Sequence, residues 1–510
     1  MEPTTFGAVF LVSFLLLRWL QKTFQRSLPL PPGPRGYPII GNLLDIPSKQ
    51  PWKSFQKWSR AYGDVVYLNL PGQPTVILGS AEAAFDLLEK RSDIYSDRPT
   101  PIMHQLMSWG WNLALMPYSQ RWRDHRREFH QHFNQHEVYK FHSVQLRECR
   151  AFLQQVLASP SSDLGQNVRQ IFTAIILKIA YDMDISDLRD EFVLLAQEAV
   201  EGISITTVPG ICWLEYFPIL RHLPSWIPWM QSKRLTEHYR PIVERMLNKP
   251  FDEIKDGIAN GKASHSLASS IIERTHQRTG NLSNSIDDDI ARNVAGVAYA
   301  TAADTTTSAG QSFLVAMSLY ADVQRKAQEE LDRVVGRKRL PDFDDYNELL
   351  YIKAILLETT RWMVVVPLSL PHRVIRDDEY NGYIIPKGTV VNPVSSAMLH
   401  DPEDYPEPER FNPDRFIKNG KMDTEVRDPR TLAFGFGRRV CPGRHLSDES
   451  LFMLIASVLH TFDIHPVIGE DGKQYDPTTE VVTGLISAPN YIPCTLTPRS
   501  ENAVNLIRQL

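Results

Sequence analysis

Apolar residues recur at intervals of three and four through most of this chain, and strict alternation is confined to short stretches. Helical period marks Arg121 to Phe133, Ile290 to Tyr320, Val323 to Val335, Tyr346 to Trp362 and His445 to His460. Two stretches read as hairpins. In Asp64 to Ser80, VVYLNL and TVILG flank a Pro-Gly-Gln-Pro turn, and Tyr383 to Asn392 folds around Pro-Lys-Gly. Regular strand–helix alternation is missing, which disfavours a doubly wound sheet. The pattern predicts a mainly α chain with small β-sheets, an α+β fold.

The N-terminus differs in kind. Phe6 to Leu17 is an uncharged apolar run, FGAVFLVSFLLL. It is short against the roughly 20 residues a spanning helix needs. Thr4 and Thr5 can extend it, and Arg18 can snorkel to the interface. Its positive charges, Lys22, Arg26 and Arg35, follow the run. That order predicts a retained anchor with the rest of the chain on the cytoplasmic side, and not a cleaved leader. Residues 1–27 are therefore expected to be a single transmembrane segment. Residues 28–42 are rich in proline and read as a stiff extended hinge. Residues 43–510 show no Gly/Ser-rich linker and read as one large domain.

Composition changes this little. The chain has 510 residues, is 43% hydrophobic and carries a formal charge of −5, which is globular and gives no sign of nucleic-acid binding. Its four cysteines, Cys149, Cys212, Cys441 and Cys494, are far apart. A disulfide framework or a cysteine zinc site is disfavoured, and a reducing compartment fits.

Cys441 stands apart. It sits in Phe434-Gly-Phe-Gly-Arg-Arg-Val-Cys-Pro-Gly443, ahead of a long apolar helix. Neighbouring arginines and a helix N-terminus are expected to lower the thiol pKa. The thiolate would be a nucleophile or a metal ligand. Gly435-Phe-Gly437 imitates a dinucleotide fingerprint, but Val440 takes the third glycine position and no βαβ unit surrounds it.

The spacing Phe434-x-x-Gly437-x-Arg439-x-Cys441-x-Gly443 resembles the haem-binding loop of the cytochrome P450 family. That resemblance implies haem b as cofactor, with Cys441 as its axial iron ligand. Other segments resemble the same family. Glu358-Thr-Thr-Arg361 and Phe411-Asn-Pro-Asp-Arg415-Phe416 imply a buried structural network of Glu358, Arg361 and Arg415. Trp122-Arg-Asp-His-Arg126 and Pro371-His372-Arg373 imply haem-propionate contacts from Arg126, His372 and Arg439, joined by Trp122. Tyr299 to Thr307 resembles the oxygen-activation helix, so Asp304 and Thr305 are expected to deliver protons. Thr301 and Ala302 depart there from the family's small residue and glycine.

By the same resemblance, substrate contacts fall in Pro101 to Met116, Val200 to Leu220, the helix before Asp304, Val364 to Leu370 and Thr483 to Ala488. Ile102, Met107, Trp109, Trp111, Leu115, Val365, Leu368, Leu485 and Ile486 would form an apolar wall suited to a lipophilic, neutral molecule, or would simply be core. The aromatic run Cys212 to Trp229 suits a bilayer interface. The histidines from His130 to His142 read as a polar helix face and not a metal site. The implied protein is a monooxygenase of the endoplasmic reticulum membrane, using O2 and an NADPH-cytochrome P450 reductase, in the manner of fungal specialised metabolism. The alternatives are an isomerase or dehydratase needing no external electrons, and a non-catalytic haem sensor.

Overall fold

The computed structural model describes residues 28–510 apart from 161–162, 186–188, 210, 228–229, 263–264, 280–284 and 468–479. Eight helices frame the site: α1 (Ile102–Leu106), α2 (Gln120–Phe133), α3 (Leu164–Tyr181), α4 (Glu191–Thr207), α5 (Gln231–Ala259), α6 (Ser285–Leu319), α7 (Leu350–Trp362) and α8 (Arg444–Thr461). The fold is mainly helical with small sheets, as the pattern predicts. The predicted helices appear with ends shifted by a few residues. Ser119 Oγ caps α2 by accepting from Trp122 N–H at 3.2 Å, which sets where that helix begins.

The spine is α6, 35 residues long and packed against α3 and α8. Its small residues permit close approach. A Cβ on Gly310 would lie 2.9 Å from a methyl of Val168 and 3.0 Å from one of Leu454. Along this contact Val168, Phe313, Leu314 and Leu454 are essentially inaccessible.

The sheets hold one success and one correction. The hairpin predicted at 64–80 forms, with β1 (Val65–Leu68) antiparallel to β2 (Thr75–Leu78). The one predicted at 383–392 does not. β5 (Tyr383–Ile385) pairs instead with β4 (Asp378–Tyr380) across Asn381-Gly382, both residues at positive φ. Asn-Gly is the stronger turn signal, because both positions tolerate the left-handed backbone that a two-residue hairpin needs. β6 (Val390–Pro393) then joins β2 in parallel and β3 (His372–Arg373) in antiparallel register. This last pairing places His372 beside the main cavity.

The proline-rich stretch is strapped to the domain and does not stand clear of it. Tyr67 N–H donates to Pro32 O and Ile384 N–H to Pro29 O, each at 2.9 Å. The predicted anchor, residues 1–27, lies outside the described residues. No helix among the described residues is long and apolar enough to cross a membrane.

The predicted acid–base network is present and buried. The Arg361 guanidinium donates two 2.8 Å bonds to the Glu358 carboxylate, and neither side chain has accessible surface. Arg415 Nε adds a bond of 3.2 Å and Asn412 N–H one of 2.8 Å, both to Glu358 Oε1. Arg361 also reaches Leu399 O at 3.0 Å. Removing one partner strands the other charge in a dry interior. Arg361→Ala should therefore cost about 3–5 kcal/mol in denaturant unfolding, and the purified protein should lack a haem Soret band. A normal Soret band with unchanged stability would refute this role.

Candidate active site

A cavity of about 320 Å³ opens among α2, α3, α6 and α8, closed by the segment after α1, the segment after α7 and the Cys441 loop. All five predicted substrate segments reach it, through residues such as Trp109, Leu115, Ile203, Val297, Val365 and Ile486. Four of the predicted side chains do not. Met107 and Trp111 are core, with Trp111 wedged against α6 at Gly296, where a Cβ would lie 3.2 Å from its ring. Leu368 faces a smaller neighbouring cavity, and Ile102 packs against the core.

The Cys441 loop shows why its residue types are needed. Cys441 N–H donates to Phe434 O at 2.7 Å, drawing the loop into a tight turn. Gly437 has φ 53°, and a Cβ there would sit 2.3 Å from Leu88 O, so no side chain fits. Phe434, Gly435, Cys441 and Gly443 all face the cavity.

The expected depression of the thiol pKa is not found. Burial pushes the Cys441 thiol above its ordinary value, and the Gly443 amide, Arg126 and Arg444 pull it back only in part. The two adjacent arginines look elsewhere: Arg438 bonds Tyr118 Oη at 2.9 Å, and Arg439 turns into the domain. Such a sulfur becomes a thiolate when a metal binds it, since coordination itself removes the proton.

Beside the sulfur the cavity wall carries several basic groups, and the nearest acid to Arg98 and Arg439, Asp97, is already ion-paired with Arg373 at 2.6 Å. Arg439 donates to Ser96 O and Met116 O, each at 2.7 Å, and lies 4.4 Å from the Trp122 ring centroid. Arg98 donates to Leu370 O and Pro371 O at 2.7 Å. Arg126 is half-buried and has no hydrogen-bond or ion-pair partner among the described residues. His372 Nδ1 sits 2.8 Å from Tyr95 O, so Nδ1 carries the hydrogen and Nε2 is left as an acceptor. Burial pushes Arg439 down to about 9, and pushes Arg98 and His372 well below their ordinary values. Carbonyl dipoles alone do not balance this charge. A carboxylate-bearing ligand would, and it would also draw a second proton onto His372.

A thiol beside cations without ion-pair partners, in a largely apolar cavity, fits a flat, carboxylate-bearing metal cofactor, as haem is. Arg98 was not among the predicted residues. In sequence it is an arginine among polar neighbours, and only the fold turns it inward.

The acid–alcohol pair is split between two directions. Thr305 lines the cavity, and its Oγ1 donates to Thr301 O at 2.9 Å. Thr301 Oγ1 in turn donates to Val297 O at 2.7 Å. Asp304 does not line the cavity; its carboxylate is ion-paired with Arg169 of α3. Consecutive helical positions point about 100° apart, so one helix cannot aim both side chains at one spot.

Comparison with known proteins follows the same line. A profile of the family described as Cytochrome P450 matches residues 31–493. The chain is 40% identical to Cytochrome P450 monooxygenase COX1 of Coprinopsis cinerea, over 96% of this chain and 95% of that protein. It is 39% identical to a cytochrome P450 monooxygenase of Armillaria gallica, over 98% of each. It is 36% identical to Tryptamine 4-monooxygenase of Psilocybe cyanescens, over 94% of this chain and 95% of that protein.

Next to the cysteine loop, α8 carries two consecutive half-buried acids. Asp448 is pushed up to about 6 by burial, although Arg430 lies 3.1 Å away. Glu449 is pushed up to about 7 by burial and by the charge of Asp448, and it lies 3.2 Å from His142 Nε2. A raised carboxyl stabilises the fold while protonated, and that contribution fades as pH rises through about 7. Glu449→Gln keeps the contact to His142 without the charge. It should raise thermal stability at pH 8 by on the order of 1 kcal/mol and leave it unchanged at pH 5, checked by melting curves at both values.

Proposed function

The chain belongs to the cytochrome P450 family and is a haem–thiolate monooxygenase, and from that premise we propose that it hydroxylates a lipophilic small molecule of fungal secondary metabolism, with O2 and with electrons from an NADPH-dependent reductase. The observation that carries this reading is one cavity with two characters. Part of its wall holds Cys441 and unpaired basic groups, and the rest is mostly apolar, with polar residues such as the threonines of α6, Asn112 and Ser369 among it.

Haem bound there would supply the oxygen chemistry, tuned by its thiolate ligand. Cys441 holds the iron. Arg126, Arg439 and His372 hold the carboxylates, with Arg98 added to the expected set and Trp122 stacked on Arg439. Phe434 and Gly437 shape the loop. The remaining work belongs to the chain. The apolar wall excludes water and binds a neutral substrate by burial of its surface. Thr305 keeps a hydroxyl at the cavity edge. Asp304, one residue earlier, holds its charge on the α3 side against Arg169 and would act with Thr305 in supplying protons to the chamber.

Membrane attachment forms part of the proposal. Residues 1–27 would be the anchor of an endoplasmic reticulum protein with its catalytic domain in the cytosol. A second contact is supported by exposed apolar residues: Ile39 at 90%, Ile219 at 74% and Trp226 at 79%. Leu43 and Tyr216 share one core cluster, which brings the post-anchor stretch and the aromatic run together. On the cysteine side, Arg438 and Arg444 offer positive charge to an acidic reductase. Arg439, beside them in sequence, is buried and serves the cavity.

Reconstitution with a reductase should show NADPH oxidation that a lipophilic substrate stimulates. Cys441→Ser should abolish it together with the thiolate Soret signature. Thr305→Ala and Asp304→Asn should each lower product formed per NADPH by about tenfold or more, with the balance leaving as hydrogen peroxide. If no substrate ever stimulated reductase-dependent oxidation, the monooxygenase reading would be wrong. A chain lacking residues 1–27 should still bind vesicles, and Ile219→Ser with Trp226→Ser should remove that binding in a flotation assay.

A further inference from the structure

Away from Cys441 the wall of the main cavity carries few polar side chains, and most have already committed their hydrogens. Thr301 and Thr305 donate to carbonyls one turn back along α6, at 2.7 and 2.9 Å. Thr360 donates to Leu356 O at 2.9 Å. Ser369 Oγ meets Ser395 Oγ, and Ser395 donates onward to Leu432 O at 2.9 Å, so the Ser369 hydrogen lies between the two hydroxyl oxygens. These groups keep only the capacity to accept. The indole nitrogen of Trp109 is packed out of reach.

Asn112 differs. It lines the same cavity and is 3% exposed. Its Oδ1 accepts Ala114 N–H at 2.9 Å, which fixes the amide: the oxygen faces the main chain and the NH2 group faces away from it. That NH2 has no hydrogen-bond partner among the described residues, and its nitrogen, unlike that of Trp109, is not closed off by packing. The residue is held on its other sides. Its main-chain N–H donates to Trp109 O, and its carbonyl accepts Leu115 N–H and Met116 N–H, each at 3.0 Å. The preceding ring, Trp111, is wedged against α6 at Gly296. The donor is therefore fixed in place before a ligand arrives.

We propose that Asn112 is a specificity-determining residue whose NH2 group donates to a neutral oxygen of the substrate. The substrate class narrows from any lipophile to one that carries a carbonyl, hydroxyl or ether oxygen. A bare hydrocarbon would cover the amide and leave its hydrogens unmet, whereas an oxygen acceptor meets one of them. An anionic acceptor is disfavoured, because Asn112 brings no charge to balance it. The rival acceptors are the carboxylates of the cofactor. Arg98, Arg126 and Arg439 offer those carboxylates charge-assisted bonds, about twice as strong as one from a neutral amide, which leaves Asn112 to the substrate.

This inference rests on the reading that the cavity is the reaction chamber of a haem protein, and the test separates the two. Two matched pairs, cyclododecanone with cyclododecane and 2-decalone with decalin, are titrated into the haem-loaded full chain at pH 8. Binding is read from the Soret shift as water leaves the iron. Wild type is compared with Asn112→Asp, which keeps the bond from Ala114 N–H but replaces the donor by an acceptor oxygen, and with Asn112→Ala. The ratio of ketone to hydrocarbon affinity should fall by about tenfold in both variants, and taking the ratio cancels any change of shape felt by both members. In infrared difference spectra the carbonyl stretch of bound cyclododecanone should lie lower in wild type and move up in both variants, which a purely structural asparagine would not cause. An unchanged ratio, or an unmoved carbonyl band, in folded and haem-loaded variants overturns the inference and leaves the chamber reading standing. A Soret band displaced before any ligand is added, with the ratio unchanged, would assign the donor to a haem carboxylate and likewise overturn it. If wild type bound no member of either pair, the lipophile reading would fall and this inference with it.

Discussion

Arginine is seldom buried without an acid opposite it, because a desolvated charge costs more than carbonyl dipoles return. Here Arg98 and Arg439 are buried against main-chain oxygens, Arg126 has no partner among the described residues, and His372 is driven to its neutral form. The site is built as half of an electrostatic contract, complete only with an anionic ligand. The Trp122 ring over Arg439, the β3–β6 pairing that brings in His372 and the sharp turn at Gly437 all serve to hold this incomplete charge beside Cys441.

The long helix α6 joins this charged region to the apolar one. Small residues let it lie close to α3 and α8, and its own carbonyls occupy the hydroxyls of Thr301 and Thr305. The helix is continuous through these threonines. Its neighbouring residues divide their duties by angle: Thr305 faces the cavity and Asp304 faces Arg169. The same helix therefore separates a polar flank, where charge is kept, from a chamber where an apolar molecule would be held.

Much of this was legible in the chain. The helical period marked α2, α6, α7 and α8 to within a few residues, because amphipathic helices repeat their burial every turn. Glu358 and Arg361 were legible as one helix face, since i and i+3 residues are neighbours on a helix. What failed did so for identifiable reasons. The Tyr383–Asn392 hairpin lost to the Asn381-Gly382 turn and to the long-range pairing of Val390 with Thr75. The depressed thiol pKa failed because burial outweighs the Gly443 amide and the nearby arginines, and two of the neighbouring arginines look elsewhere. Arg438 and Arg439 point away from the sulfur, while Arg126, more than three hundred residues earlier, acts on it.

By itself, then, the sequence determined the local elements, the cysteine loop and the family, because spacing within a turn or a helix is fixed by covalent geometry and short-range sterics. The tertiary structure decided which groups face one another: Arg98 in the cavity wall, Asp304 turned to Arg169, Glu215 reaching the amides of Ile102 and Met103 across 113 and 112 residues. Such pairings arise from the packing of distant surfaces, and a charged side chain reads the same in sequence whether it ends in solvent or over a ligand.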